Sequence, residues 1–451
     1  MPEKSKTYEK SAPRVYIRTF GCQMNERDSE LIAGMLIEKG YKIVDTVEDA
    51  SIILFNTCSV RQHAEDRVIG NLHKLTIRKK KDPTLKIGVL GCMAQRHGEL
   101  LFKEYSQIDI VVGPSNIYDI PDLLDRTMES EKILAVNNQK RPRKKVKTEH
   151  RSGIFSAYVN IMYGCNNFCS YCIVPYVRGR EVSRPKADII DEIKILADKG
   201  FKEITLLGQN VNSYGCGLSS KITFPELLEA VNKIKGIERI RFTTSHPKDA
   251  TKSLFRAIRD LDKVCEHLHL PLQSGSDKVL DLMNRKYTYG EYRKKVEMLR
   301  TMIPDVAIST DIIVGFPSEK ESDFKATRLA MEEIGFNSAF IFKYSPRSPA
   351  LSSYLLDDVA EEKKKERNNE LLNLQKKISL VKNKKVVGSR QEILVEGASR
   401  MSGKELVGRT RNNTPCVFPG ERDLIGRFVQ VRVRGASPYT LKGEMETESR
   451  P

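Results

Sequence analysis

The chain has 451 residues, more than a single hydrophobic core accommodates, so two or three domains are expected. The hydrophobic fraction is 39% with no apolar run of 18 residues, which argues against a transmembrane helix, and the start MPEKSKTYEKSAPR lacks the apolar core of a secretory signal. A soluble protein of the reducing cytoplasm, with no membrane partner, is expected. The 76 Lys and Arg against 59 Asp and Glu give a net charge of +17, which points to a polyanion such as nucleic acid. The nine cysteines are odd in number and several stand at metal-ligand spacing, so metal or redox chemistry fits better than a disulfide framework.

Three segments of the first hundred residues share a design: VYIRTFGC (Val15–Cys22), ASIILFNTC (Ala50–Cys58) and LKIGVLGC (Leu85–Cys92). Each is a short β-rich run ending in a cysteine. Helical patterns lie between them, such as DSELIAGMLIEKG (Asp28–Gly40), which an Asp or Ser opens and a Gly closes. The alternation predicts an open parallel α/β domain over 13–135. Its Cys22, Cys58 and Cys92 would emerge at the carboxyl ends of parallel strands, the edge where such sheets bind ligands.

A linker over 136–151 follows. Its run Gln139–Arg151 holds seven basic residues and one acid, and reads as a solvated tether or a polyphosphate contact. Alternation then resumes, with strand-like runs at Tyr158–Met162, Glu203–Leu207, Arg239–Thr243, His267–Leu272, Ala307–Val314 and Ala339–Lys343, and helical patterns such as Lys186–Gly200. Six β/α units over 152–382 predict a partial (β/α)6 barrel, whose reactive residues belong in loops after strands. The stretch YGCNNFCSYC (Tyr163–Cys172) follows the first strand. A charged helical segment, Glu361–Lys385, leads to runs at Gln391–Ser399, Leu406–Asn413 and Arg427–Ser437 that predict a small antiparallel β-barrel over 383–446. From Lys384 to Gly443 there are twelve Lys or Arg against five Asp or Glu, as suits a nucleic-acid platform.

Structural thiolate sites normally close with four ligands, whereas Cys165, Cys169 and Cys172 offer three. A [4Fe–4S] cluster on three thiolates leaves one iron able to bind a substrate. Cys22, Cys58 and Cys92 repeat the count, although three buried free cysteines at strand ends would also fit the pattern. Cys216, Cys265 and Cys416 match no such set.

The spacing of Cys165, Cys169 and Cys172 resembles that of the radical S-adenosylmethionine (SAM) superfamily. FGCQMNERDSE, FNTCSVRQHAEDRV and LGCMAQR resemble the three amino-terminal cysteine motifs of the methylthiotransferases. YGCNNFCSYCIVPYVRGREVSRP, LLGQNVNSYG, TTSHPKD, LHLPLQSGS, MNRKYT and STDIIVGFPSE are similar to that family's barrel motifs, and the terminal module resembles the RNA-binding TRAM domain. The motif text is nearest to the branch that acts on isopentenyl adenosine in tRNA.

The resemblance implies methylthiolation at C2 of N6-isopentenyl adenosine 37 in the anticodon stem-loop of tRNA. Two SAM molecules would be used, one as methyl donor and one as source of a 5′-deoxyadenosyl radical. Cys165, Cys169 and Cys172 would hold the radical [4Fe–4S] cluster; Cys22, Cys58 and Cys92 would hold a second, auxiliary one. Gly208, Gln209 and Asn210 stand where related enzymes contact the methionine amino group, with Gln-Asn in place of an acidic pattern. Gln273 and Asp311 are expected contacts to cofactor or adenine. Arg178 and Arg180 are expected at methionine carboxylate or RNA phosphate, or in a structural salt bridge. A low-potential electron donor such as flavodoxin or ferredoxin, and a sulfur donor or cluster-repair protein, are implied partners. Sister substrates, threonylcarbamoyl-adenosine or a ribosomal protein, a zinc-containing RNA-binding protein and an iron–sulfur scaffold are the competing readings.

Overall fold

The computed structural model describes residues 12–60, 62–129, 131–136, 150–219, 222–400 and 402–446. These form two compact units: the residues up to Ser152 together with Ile173–Arg180, and Gly153–Cys172 together with those from Glu181 onward. The segment 173–180, expected inside a 152–382 domain, therefore packs with the amino-terminal unit. Most of the basic run, 139–149, lies outside the described residues.

In the first unit β1 (Arg14–Phe20), β2 (Lys42–Ile43), β3 (Ile52–Thr57), β4 (Lys86–Gly91), β5 (Ile110–Val112) and β6 (Ile133–Ala135) form one sheet, ordered β2-β1-β3-β4-β5-β6 with every pair parallel. The central β3 and β4 are buried at every position, as strands with both faces covered must be. Their side chains alternate between two cores. Ile52 and Leu54 join Leu36 on one face; Ile53 and Phe55 join Val68 and Leu72 on the other. The first helix runs Gln23–Glu38 and begins at Cys22, so Asp28 is an inward-facing helical residue and not the expected cap. The chain turns directly from strand to helix because Gly21 and Cys22 suffice for the bend.

In the second unit β7 (Ser156–Asn160) is followed by a short antiparallel pair, β8 (Met162–Tyr163) with β9 (Val182–Ser183). Then come β10 (Glu203–Leu207), β11 (Arg239–Phe242), β12 (His267–His269), β13 (Ala307–Val314) and β14 (Ser338–Lys343). Two parallel three-stranded sheets, β7-β10-β11 and β12-β13-β14, are joined by an Ile240–Val264 bridge. The result is a six-stranded parallel arc around one large apolar core. The fourth strand is shorter than expected, although a Gln273–Ile312 bridge resumes its pairing.

The helix Glu361–Lys385 leads to β15 (Arg390–Ala398), β16 (Glu405–Thr410), β17 (Pro415–Pro419), β18 (Phe428–Ala436) and β19 (Leu441–Met445), a closed barrel in the order β15-β16-β17-β19-β18. Its β17–β19 junction is parallel, not antiparallel as expected. Five strands cannot alternate direction all the way around a ring, so one junction must be parallel. The small barrel is fixed to the large one by arginines. Buried Arg239 donates to Arg409 O at 2.9 Å and to Glu392 Oε1 at 2.6 Å, Arg241 donates to Thr410 O at 2.7 Å, and Arg411 pairs with Glu266. Arg409, Arg432 and Arg434 pair with Glu396, Glu446 and Glu444, so these three arginines are engaged inside the module.

Candidate functional sites at two cysteine triads

The sheet register brings the first three thiols together. Phe20 stands beside Thr57 and Thr57 beside Gly91, so Cys22, Cys58 and Cys92 leave three adjacent strands at one level. Close approach requires the glycines before two of them. A Cβ on Gly21 would lie 2.6 Å from the Cys58 Cβ, and one on Gly91, whose φ is +84°, would lie 2.3 Å from Asn56 Oδ1. Asn56 fastens strand to helix, donating to Asn25 O at 2.9 Å and to Ser29 Oγ at 2.9 Å while accepting from Asn25 Nδ2 at 3.0 Å. Cys58 and Cys92 are buried and Cys22 is exposed.

Hydrogen bonding to Cys58, against the cost of burial and with help from the Arg178 charge, brings Cys22 down to about 6 and Cys92 to about 7; Cys58 is pushed well up. The amino end of the Gln23–Glu38 helix also favours a thiolate at Cys22. Arg178 reaches the site from the helix Val174–Val177, whose Ile173 and Val177 pack on Cys92. It pairs with Asp28 at 3.2 Å, so the salt-bridge alternative describes its visible contact. Nearby Glu30 takes Arg27 at 3.5 Å and Arg151 at 3.3 Å, which ties the end of the basic stretch to this unit.

The second triad is local. Cys165 and Cys169 are buried and Cys172 is half-buried in a loop that uses positive φ at Gly164 (+71°) and Phe168 (+48°). Burial pushes the Cys165 thiol up. The MNRKYT motif anchors the loop, with Asn284 Nδ2 donating to Phe168 O at 2.9 Å and Arg285 Nη1 to Cys169 Sγ at 3.4 Å. Arg285 Nη2 and the Tyr287 hydroxyl both donate to Pro271 O at 3.0 Å. Ser170 closes the cradle, its N donating to Met283 O at 3.0 Å and its hydroxyl to Leu282 O at 2.7 Å. Asn284, Arg285 and Tyr287 were not singled out from the sequence. A lone Arg beside two positive-φ residues, Asn284 and Lys286, shows its purpose only once the turn is folded.

Around the carboxyl rim of the same barrel stands a set of buried polar atoms without hydrogen-bond partners among the described residues: Asn160 (both side-chain atoms), Gln209 Oε1, Asn212 (both), Ser245 Oγ, His246 Nε2 and Gln273 Oε1. Each such atom costs about 1–3 kcal/mol unless a ligand meets it. Burial, then the charges of Arg285, Lys248 and Lys295, bring His246 down to about 2, and its Nδ1 accepts from Lys248 N at 3.2 Å. The imidazole is therefore neutral with a free Nε2–H. This rim fits a polar ligand with amino, carboxylate and adenine groups. Gly208 permits contact with Met162, since a Cβ at this position would fall 2.5 Å from Met162 Cγ.

Asn210 carries one orphaned atom, Oδ1, while its Nδ2 donates to Asp249 at 2.7 Å. Asp311 accepts from His269 at 3.3 Å and is already engaged. Buried Cys265 and Cys416 have their thiols pushed up by burial, Cys416 to about 12, and exposed Cys216 stands apart. Among the described residues no three His, Cys, Asp or Glu side chains converge tightly enough for a single metal ion. An iron–sulfur cluster bridges its thiolates across its own width.

Family models match in three places: the uncharacterized protein family UPF0004 over residues 14–113, the radical SAM superfamily over 159–330 and the TRAM domain over 384–445. A radical S-adenosylmethionine methyltransferase, TsrM from Kitasatospora setae, superposes with a TM-score of 0.55 at 13% identity, covering 73% of each chain. The cobalamin-dependent radical enzyme OxsB gives 0.52 at 12% identity over 82% of this chain and 56% of its own. These likenesses are of fold. The class is thus a radical SAM enzyme, flanked by a UPF0004 domain and a TRAM domain.

Relatives named tRNA-2-methylthio-N(6)-dimethylallyladenosine synthase are 49% identical in Thermoanaerobacter pseudethanolicus, over 95% of this chain and 92% of theirs. The Syntrophus aciditrophicus relative is 48% identical, over 96% and 95%. The chain belongs to the tRNA-2-methylthio-N(6)-dimethylallyladenosine synthase family. SAM and [4Fe–4S] clusters are the cofactors of that class. No helix among the described residues is long and apolar enough to cross a membrane.

Proposed function

We propose that the chain adds a methylthio group to C2 of N6-isopentenyl (dimethylallyl) adenosine at position 37 of tRNA, using one SAM as methyl donor and another as radical source. Two separate sets of three cysteines, each following parallel strands at their carboxyl ends, carry this reading. Cys165, Cys169 and Cys172 hold one [4Fe–4S] cluster, and Cys22, Cys58 and Cys92 hold the other. When bound, the first supplies the electron that cleaves SAM to a 5′-deoxyadenosyl radical, and the second presents the sulfur to be transferred.

The protein's own part is placement. Arg285 and Asn284 fix the loop that carries Cys169. Gln209, Ser245, His246 and Gln273 orient SAM through atoms that otherwise lack partners. His246, neutral at working pH, donates without adding charge. Adenosine 37 leaves its stack in the anticodon loop at a cost of a few kcal/mol, roughly. Arg427 and Lys442, which form no ion pair among the described residues, are available to phosphates. A low-potential flavodoxin or ferredoxin supplies electrons, a sulfur donor or cluster-repair protein restores the sulfur, and the setting is the cytoplasm.

Nucleoside mass analysis of tRNA from cells lacking their own enzyme tests the reading. The 2-methylthio nucleoside should appear only with this gene. Iron-loaded protein that leaves isopentenyl adenosine unmodified would redirect the search to threonylcarbamoyl-adenosine or a ribosomal protein. A colourless zinc protein would end it.

A further inference from the structure

Arg178 is enclosed, its side chain 4% exposed, and it lies at the end of a segment that packs with the amino-terminal unit. One guanidinium nitrogen, Nη1, donates to Asp28 Oδ2 at 3.2 Å, and Asp28 is itself 1% exposed. The other, Nη2, is buried and meets no oxygen or nitrogen acceptor among the described residues, while the guanidinium lies close enough to the Cys92 thiol to favour its thiolate by hydrogen bonding. Burying a guanidinium costs several kcal/mol, roughly, and a well-built site satisfies all of its fork. Asp28 belongs to the helix that begins at Cys22, while Ile173 and Val177, on the segment that carries Arg178, pack on Cys92. The charge also bears on all three thiols, Cys92, Cys22 and Cys58. The unused donor therefore stands in a site whose acceptors are sulfurs.

We propose that Arg178 is a positioning residue of the auxiliary cluster: Nη2 donates to a sulfur of the cluster or of its thiolate ligands, and the fixed positive charge raises the cluster's reduction potential. This rests on the reading that Cys22, Cys58 and Cys92 hold a cluster. Two general effects carry it, because net charge and hydrogen bonds to sulfur set iron–sulfur potentials. Arginine supplies both and does not lose its proton at any working pH. Asp28 holds the guanidinium plane, so its donor direction is fixed by the pair and not by the ligand.

The test uses the full chain with Cys165, Cys169 and Cys172 all changed to Ala, so that only the first triad can bind iron. After anaerobic reconstitution, iron and sulfide content and a redox titration followed by electron paramagnetic resonance are compared for Arg178, R178K and R178Q. R178Q should keep its iron and shift the reduction equilibrium at least tenfold toward the oxidised form, about 59 mV for one electron. R178K keeps the charge but loses the planar fork that reaches Asp28 and a sulfur together, so a smaller shift with an altered resonance line shape is expected. Because Gln removes the Arg178 charge from buried Asp28, R178Q/D28N is measured beside it, with a shift in the same direction expected. Loss of iron from R178Q, R178K and R178Q/D28N alike would count against the assignment, since the Arg178–Asp28 pair would then serve only to hold the site together. An unchanged midpoint in R178Q and R178Q/D28N at full iron loading overturns it. If the parent with Arg178 intact binds no iron, it is the cysteine reading that fails.

Discussion

Cys22, Cys58 and Cys92 stand 36 and 34 residues apart on three strands, whereas Cys165, Cys169 and Cys172 fall within eight consecutive positions of one loop. The first set is held by a rigid sheet edge, in which β3 and β4 are buried throughout and Asn25 and Asn56 lock strand to helix. The second is held by a remote motif, with Asn284, Arg285 and Ser170 bonding across the loop. Both place a buried arginine at the sulfurs. Arg178 is balanced by Asp28, while Arg285 is surrounded by the Tyr171 and Tyr287 hydroxyls and the Pro271 carbonyl. The lesson is that a strand-borne triad depends on register, and a loop-borne triad on whatever pins the loop.

Removing one thiol from each set separates the two most strongly. C165A should abolish both 5′-deoxyadenosine release and the methylthio product. C58A should abolish the product and still cleave SAM. Chromatography of 5′-deoxyadenosine beside tRNA nucleoside analysis distinguishes these outcomes, and loss of SAM cleavage in C58A would contradict a division of labour.

Next in size is the loop anchor. R285A leaves Pro271 O and the cysteine loop without their charged donor, an expected loss of about 2–4 kcal/mol by urea unfolding. Iron should fall while Cys22, Cys58 and Cys92 keep theirs, giving roughly half the iron per chain. The sheet edge makes the opposite forecast. G91A forces a Cβ into Asn56 and an L-residue into φ +84°, at a cost of about 1–3 kcal/mol, and iron held by the loop should survive. Equal loss from both sets in either variant would mean that the triads are not independent.

The smallest effects lie outside both triads and serve as their control. R427A and K442A should each lower the salt dependence of tRNA binding by about one unit of slope without altering SAM cleavage. Filter binding across a salt series reads this. A slope unchanged in both would place the phosphate contacts elsewhere.

The sequence alone determined the parallel α/β order, since β-rich runs with helices between them pack in few ways, and six cysteines stand out in it because their spacing is written in the chain. Gly208, Gln209 and Gln273 were legible from their motifs as rim residues. Only tertiary structure decided the rest. Asp28 reads as a helix cap until the helix is seen to start at Cys22. Arg178 reads as a barrel residue until Ile173–Arg180 is seen to pack with the first unit. Arg285, more than a hundred positions from Cys169, meets it only through the fold. The terminal module's basic excess is legible in the sequence, but that Arg409, Arg411, Arg432 and Arg434 are paired is not. Periodicity and spacing report on local backbone geometry, whereas the partner of a buried charge is set by which distant element happens to fill the space beside it.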